Sequence, residues 1–466
     1  MSVPVISVTQ MREWEEATWA SGQSAEPVMR LAGQAVAEVA MSLTDYGDSI
    51  VLLAGKGNNG GDTKYAAEYL TDRQVTLIYA AKPAQALQEF SAGERPKLIV
   101  DGLFGIGLNR PLADEWPPLI DAVNDSECIV LAVDAPSGLN CDSGEIMGSA
   151  IRAHLTVTFA APKTGLIKHC AAEHVGKLVV ADDIGLIPCP HAGVVHWTLP
   201  QDFTDFPTPR PDAGHKGTFG HLVIIAGSQG YHGAAALAAR AAHRAMPGLV
   251  SLFTTETAYP LVAAQLQQTM VHPVGGDLPE KATAFLIGPG LAGNEASIYQ
   301  EQCRELWREA KVPVVADASA LTWLPSGESA PAPRVITPHP GEAARLLGVS
   351  NAEIQGDRVQ AATGLREKFG CHVVLKGRQT VVKDLGGIAC LNESGNAGLG
   401  QGGSGDVLAG YLAGLIAQPI LQDDLDRLIR FGVWEHGRVA DRLSHGRYAW
   451  DLEDLIPLLG NSRLNH

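Results

Sequence analysis

The sequence predicts an α/β fold of two doubly wound domains, each a mostly parallel sheet covered by helices. Three observations predict it. Short apolar runs that end in glycine-rich or acidic turns alternate with helical periodicity along the chain. This pattern begins at Ser49-Ile-Val-Leu-Leu-Ala54 and restarts at His221–Ala226, after the alternating prolines Pro207, Pro209 and Pro211. A length of 466 residues is also too great for one ordinary domain, and two of roughly 200–250 residues are the natural expectation. The expected division is a first domain over 1–205, a linker over 206–214 and a second domain over 215–466. Residues 202–214 lack periodicity, and their prolines favour a semi-extended spacer.

Composition narrows the function. With 45% hydrophobic and 18% charged residues the chain can bury a large core. A net charge of −16 argues against a nucleic-acid partner, which needs a basic footprint. An anionic ligand must then be held by backbone amides and a few local cations. The seven cysteines are scattered with no Cys-x-x-Cys, which fits reduced thiols in a cytoplasm and no zinc centre. The start, Met1-Ser-Val-Pro-Val5, has no basic stretch leading into an apolar one, so no signal peptide is expected. No apolar run reaches the ~18 residues of a membrane span, so no membrane partner is expected.

In the first half, Met11, Trp14, Thr18, Val28, Ala32, Val36 and Ala40 fall at helical spacing and read as core-facing. The strand at 49–54 leads into Gly55-Lys-Gly-Asn-Asn-Gly-Gly-Asp62, expected as a glycine turn before a helix at Tyr65–Leu70. Gly55, Gly57 and Gly60 satisfy G-x-G-x-x-G, but the next strand, Val75–Tyr79, ends in Ala-Ala-Lys82. No acid waits there for a ribose hydroxyl, which disfavours a standard dinucleotide-dependent dehydrogenase. Two further strands end at Asp101 and Asp134. Carboxyl ends of parallel strands line one crevice, so Asn59, Asp101, Asp134 and Ser137 should converge, the alternative for each being a helix or turn cap. Lys163 closes another strand and reads either as an electrostatic or proton-handling group in that crevice or as a solvated surface lysine.

In the second half the decisive stretch is Asn396-Ala-Gly-Leu-Gly-Gln-Gly-Gly-Ser-Gly-Asp-Val-Leu-Ala-Gly410. Dense glycine lets backbone N–H groups turn toward one point. A helix starting near Asp406 adds its unsatisfied N–H groups and the positive end of its dipole. Together these make a phosphate site, with Asp406 as the sole acid in reach and a base for a hydroxyl beside a phosphoryl group. The loops at Gly227–Gly233, Gly288–Gly290 and Thr337-Pro-His-Pro-Gly-Glu342 also follow strands. Val373–Gly377 and Thr380–Lys383 form a strand pair with a tight connection.

These motifs carry a resemblance to two families. Asn58-Asn-Gly-Gly-Asp62, Asp101-x-x-x-Gly105-x-Gly107 and Val133-Asp-x-Pro-Ser-Gly138 are similar to the NAD(P)H-hydrate epimerases over nearly all of 1–205, implying a Rossmann-like fold. The resemblance implies that Asn58, Asn59, Gly60, Gly61 and Asp62, the loop Gly105, Ile106, Gly107, Leu108, Asn109, Arg110 and Pro111, and Asp134 hold the hydrated dinucleotide. It also places a potassium ion on Asn59, Asp101 and Ser137. One departure stands out: Thr63-Lys64 replaces the family's glycine and bulky apolar residue. Thr63 does not adopt φ > 0 cheaply, so an altered turn is expected.

Gly403-Ser-Gly-Asp406 resembles the ribokinase-like superfamily, and residues 214–460 resemble its NAD(P)H-hydrate dehydratases. That resemblance implies that Ala234, Gly288, Gly290, His339 and Asp406 contact the hydrated cofactor. Lys376, Gly377, Arg378, Gln379, Thr380 and Gly405 would contact ADP, with Mg2+. His339 alternatively reads as a core histidine. Asp317-Ala-Ser-Ala-Leu321 lacks the family's second acid at Ser319. Together the halves imply repair of hydrated NADH and NADPH by epimerisation and ADP-dependent dehydration, in a cytoplasmic homo-oligomer. The alternative is a kinase for a sugar or vitamin precursor, with a non-catalytic binding module in front.

Overall fold

The computed structural model describes residues 2–273, 275–327 and 330–461. It contains two compact units, Val3–Trp197 and the chain from Thr198 onward. In the first, β1 (Val3–Pro4) pairs antiparallel with β8 (Val195–Trp197). Between them lie β2 (Ser49–Ala54), β3 (Gln74–Tyr79), β4 (Leu98–Gly102), β5 (Ile129–Val133), β6 (Leu155–Phe159) and β7 (Lys177–Ala181). These six form a parallel sheet in the order β3-β2-β4-β5-β6-β7. Side chains alternate across a strand, so Leu52 joins one core with Val36 and Leu131 while Leu53 joins the other with Ile99 and Val130. Burial of both faces explains why these strands read as unbroken apolar runs.

The helix after β2 starts earlier than expected. It runs from Asn58 to Tyr69 with Gly57 at its cap, so Asn58–Asp62 are its opening turns and not a loop before it. This disposes of the altered turn expected at Thr63-Lys64. Thr63 is helical and fully buried, and its hydroxyl donates to the Asn59 carbonyl at 2.7 Å. No positive φ is needed there, because Thr63 sits on the helix body.

In the second unit β9 (His221–Ile225), β10 (Leu249–Thr254), β11 (Met270–Pro273), β12 (Ala284–Ile287), β13 (Val314–Ala316), β14 (Arg334–Ile336), β15 (His372–Leu375), β16 (Val381–Lys383) and β17 (Ala389–Leu391) are ordered β17-β16-β15-β14-β13-β12-β9-β10-β11. Strands β9 to β15 pair in parallel, whereas β15-β16-β17 is an antiparallel meander that includes the expected tight pair. The alanine-rich helix His232–Arg244 packs on the glycine-loop helix Ser404–Ile416, not only on the sheet. A Cβ on Gly410 would lie 2.1 Å from the Ala238 carbonyl oxygen, and one on Gly414 would lie 2.6 Å from that of Ala242. Alanine opposite glycine is therefore what brings the two helix backbones together. Among the described residues no single helix is long and apolar enough to cross a membrane. Residues 462–466 of the expected second domain lie outside the described residues.

The boundary falls between Trp197 and Thr198, earlier than the expected 205. The expected spacer is partly core of the second unit. Phe203 is fully buried against Phe431 and Trp434, and Phe206 stacks edge-on against Phe431. Asp202 pairs with Arg430 at 3.1 Å, and Arg210 lies 3.4 Å over the Phe219 ring. The prolines hid this because they suppress periodicity without preventing side chains from docking. Phe203→Ala should therefore lower the stability of an isolated 198–466 fragment by about 3–5 kcal/mol in denaturant unfolding. A free spacer would show no change.

Candidate active sites

In the first unit the strand ends open on a cleft of about 740 Å3. Ala81, Asn59, Leu103, Asp134 and Phe159 line it, coming from the ends of β3, β2, β4, β5 and β6 in turn. The expected residues Asn58, Asn59, Asp62, Asp134 and Gly105 to Arg110 line the cleft, whereas Gly60, Gly61, Asp101, Pro111, Ser137 and Lys163 do not. Two buried polar clusters adjoin its lining residues Asn59 and Asp134.

The first joins Asp101 and Ser137. Asp101 Oδ1 accepts from the Ser137 hydroxyl at 2.6 Å and from the Leu103 amide at 3.2 Å, and Oδ2 accepts from the Ser137 amide at 2.8 Å. Burial pushes the Asp101 carboxyl up to about 6, against the lowering effect of those Ser137 and Leu103 bonds. Asn59 is buried nearby, its side chain 3.2 Å from where a Cβ on Gly105 would stand. Neither its Oδ1 nor its Nδ2 has a hydrogen-bond partner. An unpaired buried amide costs about 1–3 kcal/mol, so this one is shaped for a group brought in from outside.

The second cluster is an ion pair. Lys163, fully buried, donates from Nζ to Asp134 Oδ1 at 2.8 Å, to the Thr158 hydroxyl at 3.0 Å and to the Phe159 carbonyl at 3.0 Å. The surface-lysine alternative is thus excluded. Asp134 has φ 62°, a costly conformation for a non-glycine residue, and its Oδ1 also accepts from Thr158 and the Phe159 amide. Asp62 and Glu15 complete the wall. Burial first, then the Asp134 charge, raises both carboxyls, that of Asp62 well above its ordinary range. Glu15, on the helix Val8–Ala20, gave no sequence signal beyond lying on a core-packing helix.

In the second unit Gly403 caps the helix Ser404–Ile416 with φ 95°, a conformation glycine adopts freely. That geometry turns the N–H groups of the first turn into the site. The loop before it is already pinned. Asp441 accepts from the Gly395 amide at 2.9 Å and from Asn396 Nδ2 at 3.0 Å, and Gln401 donates to the carbonyls of Gly398 and Trp450. Asp406 sits in the first turn. It is not the only acid in reach, contrary to the expectation. Burial, then Asp317 and Glu342, push its carboxyl up to about 7, although Lys376 pulls it down.

Lys376 Nζ pairs with Asp317 Oδ1 at 2.7 Å and lies 3.0 Å from the position of a Cβ on Gly405. Burial opposes its charge, but Asp317, Glu342 and Asp406 outweigh this and raise the ammonium above its ordinary value. Ser319, where a second acid was expected, lies in the short helix Ala318–Trp323; only Asp317 meets the lysine. His339 is half-exposed and not a core residue. It caps the helix Pro340–Leu347, with Nδ1 accepting from the Gly341 amide at 3.0 Å, while Glu342 accepts from its own amide at 2.8 Å. Ala234 and Gly290 adjoin, 2.8 Å separating the alanine methyl from a Cβ placed on Gly290, and Gly288 presses on the Asp317 carbonyl. Gly377 to Thr380 form the β15–β16 turn; Gln379 has φ 51° and Thr380 bonds back to the Gly377 carbonyl.

Comparison with known proteins decides the family. The NAD(P)H-hydrate dehydratase family matches residues 222–458, and the YjeF-related protein N-terminus family matches 25–92 and 76–165. The bifunctional NAD(P)H-hydrate repair enzyme of Coxiella burnetii is 36% identical, over 97% of both chains. That of Escherichia coli K12 is 35% identical, over 96% of this chain and 92% of its own. The chain belongs to the bifunctional NAD(P)H-hydrate repair enzymes.

A solved ribokinase-like superfamily protein from Enterococcus faecalis V583 covers 58% of this repair enzyme and 96% of its own chain, at 25% identity and TM-score 0.52. The enzyme therefore carries an epimerase and a ribokinase-like dehydratase. The alternative of a sugar or vitamin-precursor kinase behind a binding module falls away, since its relatives match through both halves. Sequence reasoning missed Glu15, Asp317 as the partner of Lys376, and Glu342 as a charge on Asp406. Each is a lone acid whose role appears only when separate strand and helix ends meet.

Proposed function

We propose that the dehydratase uses ADP to phosphorylate the ring hydroxyl of the S hydrate and then expels phosphate, giving NAD(P)H and AMP. Hydroxide is a poor leaving group, and phosphoryl transfer divides one hard step into two easier ones. The observation that carries this reading is Asp406. It is a carboxylate poised near pH 7 in the first turn of a glycine-capped helix, and a base is most effective when its pKa lies near working pH. Asp406 takes the hydroxyl proton, the amides from Gly403 onward face the developing charge on the transferred phosphoryl group, and Lys376 neutralises it. Mg2+ fits beside Asp317, whose second oxygen is not taken by Lys376; bound there, it would offset phosphate charge.

In the epimerase we propose a potassium ion held by Asn59, Asp101 and Ser137. The unpartnered Asn59 amide supports it, as does a donor set of oxygens with one formal charge, which suits a monovalent ion. Asp134 and Lys163 orient the hydrated ring above it. The seven free cysteines are in keeping with a cytoplasmic setting.

The test is to supply hydrated NADH with ADP, and separately with ATP, and follow the absorbance of restored dihydronicotinamide. Recovery with ADP and release of AMP are expected; recovery without any nucleotide would overturn the phosphorylation step. Asp101→Ala should abolish potassium activation of epimerisation while dehydration of the S epimer continues. An epimerase indifferent to potassium in the wild type would remove the cation from this reading.

A further inference from the structure

The established epimerase reaction needs two proton-transfer groups, and the Asp134–Lys163 pair supplies at most one. Reversing the configuration of a hydroxyl-bearing carbon requires a proton on the hydroxyl that leaves one face. It also requires removal of a proton from the water that adds to the other. Asp134 Oδ1 is saturated by Lys163, Thr158 and the Phe159 amide. Three other carboxyls line the same cleft, Glu115, Asp62 and Glu15, and the last two are the ones that feel the charge of Asp134. These two come from different elements, the helices Asn58–Tyr69 and Val8–Ala20. Asp62 is only 7% exposed, yet no hydrogen bond or ion pair to its carboxyl is found among the described residues, and the same holds for Glu15. Glu15 is only partly buried, but a carboxyl as buried as that of Asp62 is costly without partners unless it serves a ligand.

We propose that Glu15 is a catalytic acid–base residue of the epimerase, working with Asp62 across the hydrated ring. The protonated member gives its proton to the ring hydroxyl; the C–O bond breaks with its electron pair on oxygen, and water departs. The ring nitrogen's electron pair meanwhile holds the positive charge on carbon. A water then bonds to that carbon from the opposite face and loses a proton to the ionised member. One carboxyl has lost a proton and the other has gained one, so the pair is ready for the reverse direction and no oxidant or co-substrate is consumed. The charges around Glu15 are consistent with this sharing. Burial, then Asp134 and Glu16, disfavour its ionised form, Lys163 and Arg12 favour it, and Glu15 in turn disfavours the ionised form of Asp62.

This rests on the epimerase identity of the cleft, which the dehydratase assay leaves untouched, so failures of the two are separable. The experiment compares wild type, Glu15→Gln and Glu15→Asp on the R hydrate, with each variant's dehydration of the S hydrate as an internal control. Glu15→Gln should lower epimerase kcat by ~10²–10³, leave KM within about threefold and turn a bell-shaped pH profile into one with a single limb. Glu15→Asp should restore the second limb and part of the rate. A Glu15→Gln enzyme with near wild-type kcat and an intact bell would overturn the proposal. So would equal losses in both variants accompanied by a lowered melting temperature, which would make Glu15 a packing residue.

Discussion

Asp406→Asn should abolish dehydration, lowering kcat by ~10²–10⁴ as expected for loss of a general base, while nucleotide still binds. Asparagine keeps the shape and the polar first turn of the helix but accepts no proton from a hydroxyl. The wild-type rate should rise with pH and reach half its plateau near pH 7, where the Asp406 carboxyl ionises; the residual rate of the variant should be flat. Stability should move the other way. The folded carboxyl holds its proton more tightly than the unfolded one, whose ordinary value is 3.8. Its contribution is therefore fully present below that value and lost as pH rises through about 7. Asp406→Asn, neutral throughout, should melt above wild type at pH 8 and level with it at pH 3. Thermal unfolding at both values checks this, and a variant less stable at pH 8 would mean that the carboxylate is not held at a cost.

Lys163→Met is the second large effect. It leaves Asp134 buried without its cation, and breaking a buried pair from one side costs about 3–5 kcal/mol. The first domain should unfold at markedly lower denaturant while the second is unchanged. Epimerisation should fall to background, whereas the S hydrate should still be dehydrated. Adding Asp134→Asn removes the orphaned charge, so the double variant should regain most of the stability and none of the activity. Recovery of both would mean that the pair only supports the fold.

The alternation of apolar runs with glycine or acidic turns carried the fold, because strands buried on both faces have few alternatives. Motif spacing likewise pointed to Asp101, Ser137, Asp134 and Asp406, which the structure has in or just beyond the ends of strands and in the first turn of a helix. Local conformation was harder to read. Asn58–Asp62 looked like a loop because glycine and asparagine are poor helix formers, but the sheet and the buried Thr63 hold them helical. The docking of Phe203 was masked by neighbouring prolines. Glu15, Asp317 and Glu342 had no signature because their role lies in a field summed over distant elements, and a one-dimensional pattern does not show a field.

The contact of Gly410 and Gly414 with the carbonyls of Ala238 and Ala242 has a mechanical meaning for catalysis. Asp406 lies one turn above Gly410 on the same helix, so the proposed base is backed by a seam in which glycine meets a neighbouring backbone with no long side chain between. So close an approach of two backbones resists sliding or rolling of that helix. In the proposed mechanism the placing of the base would thus depend on the seam as well as on the loop that faces the ligand.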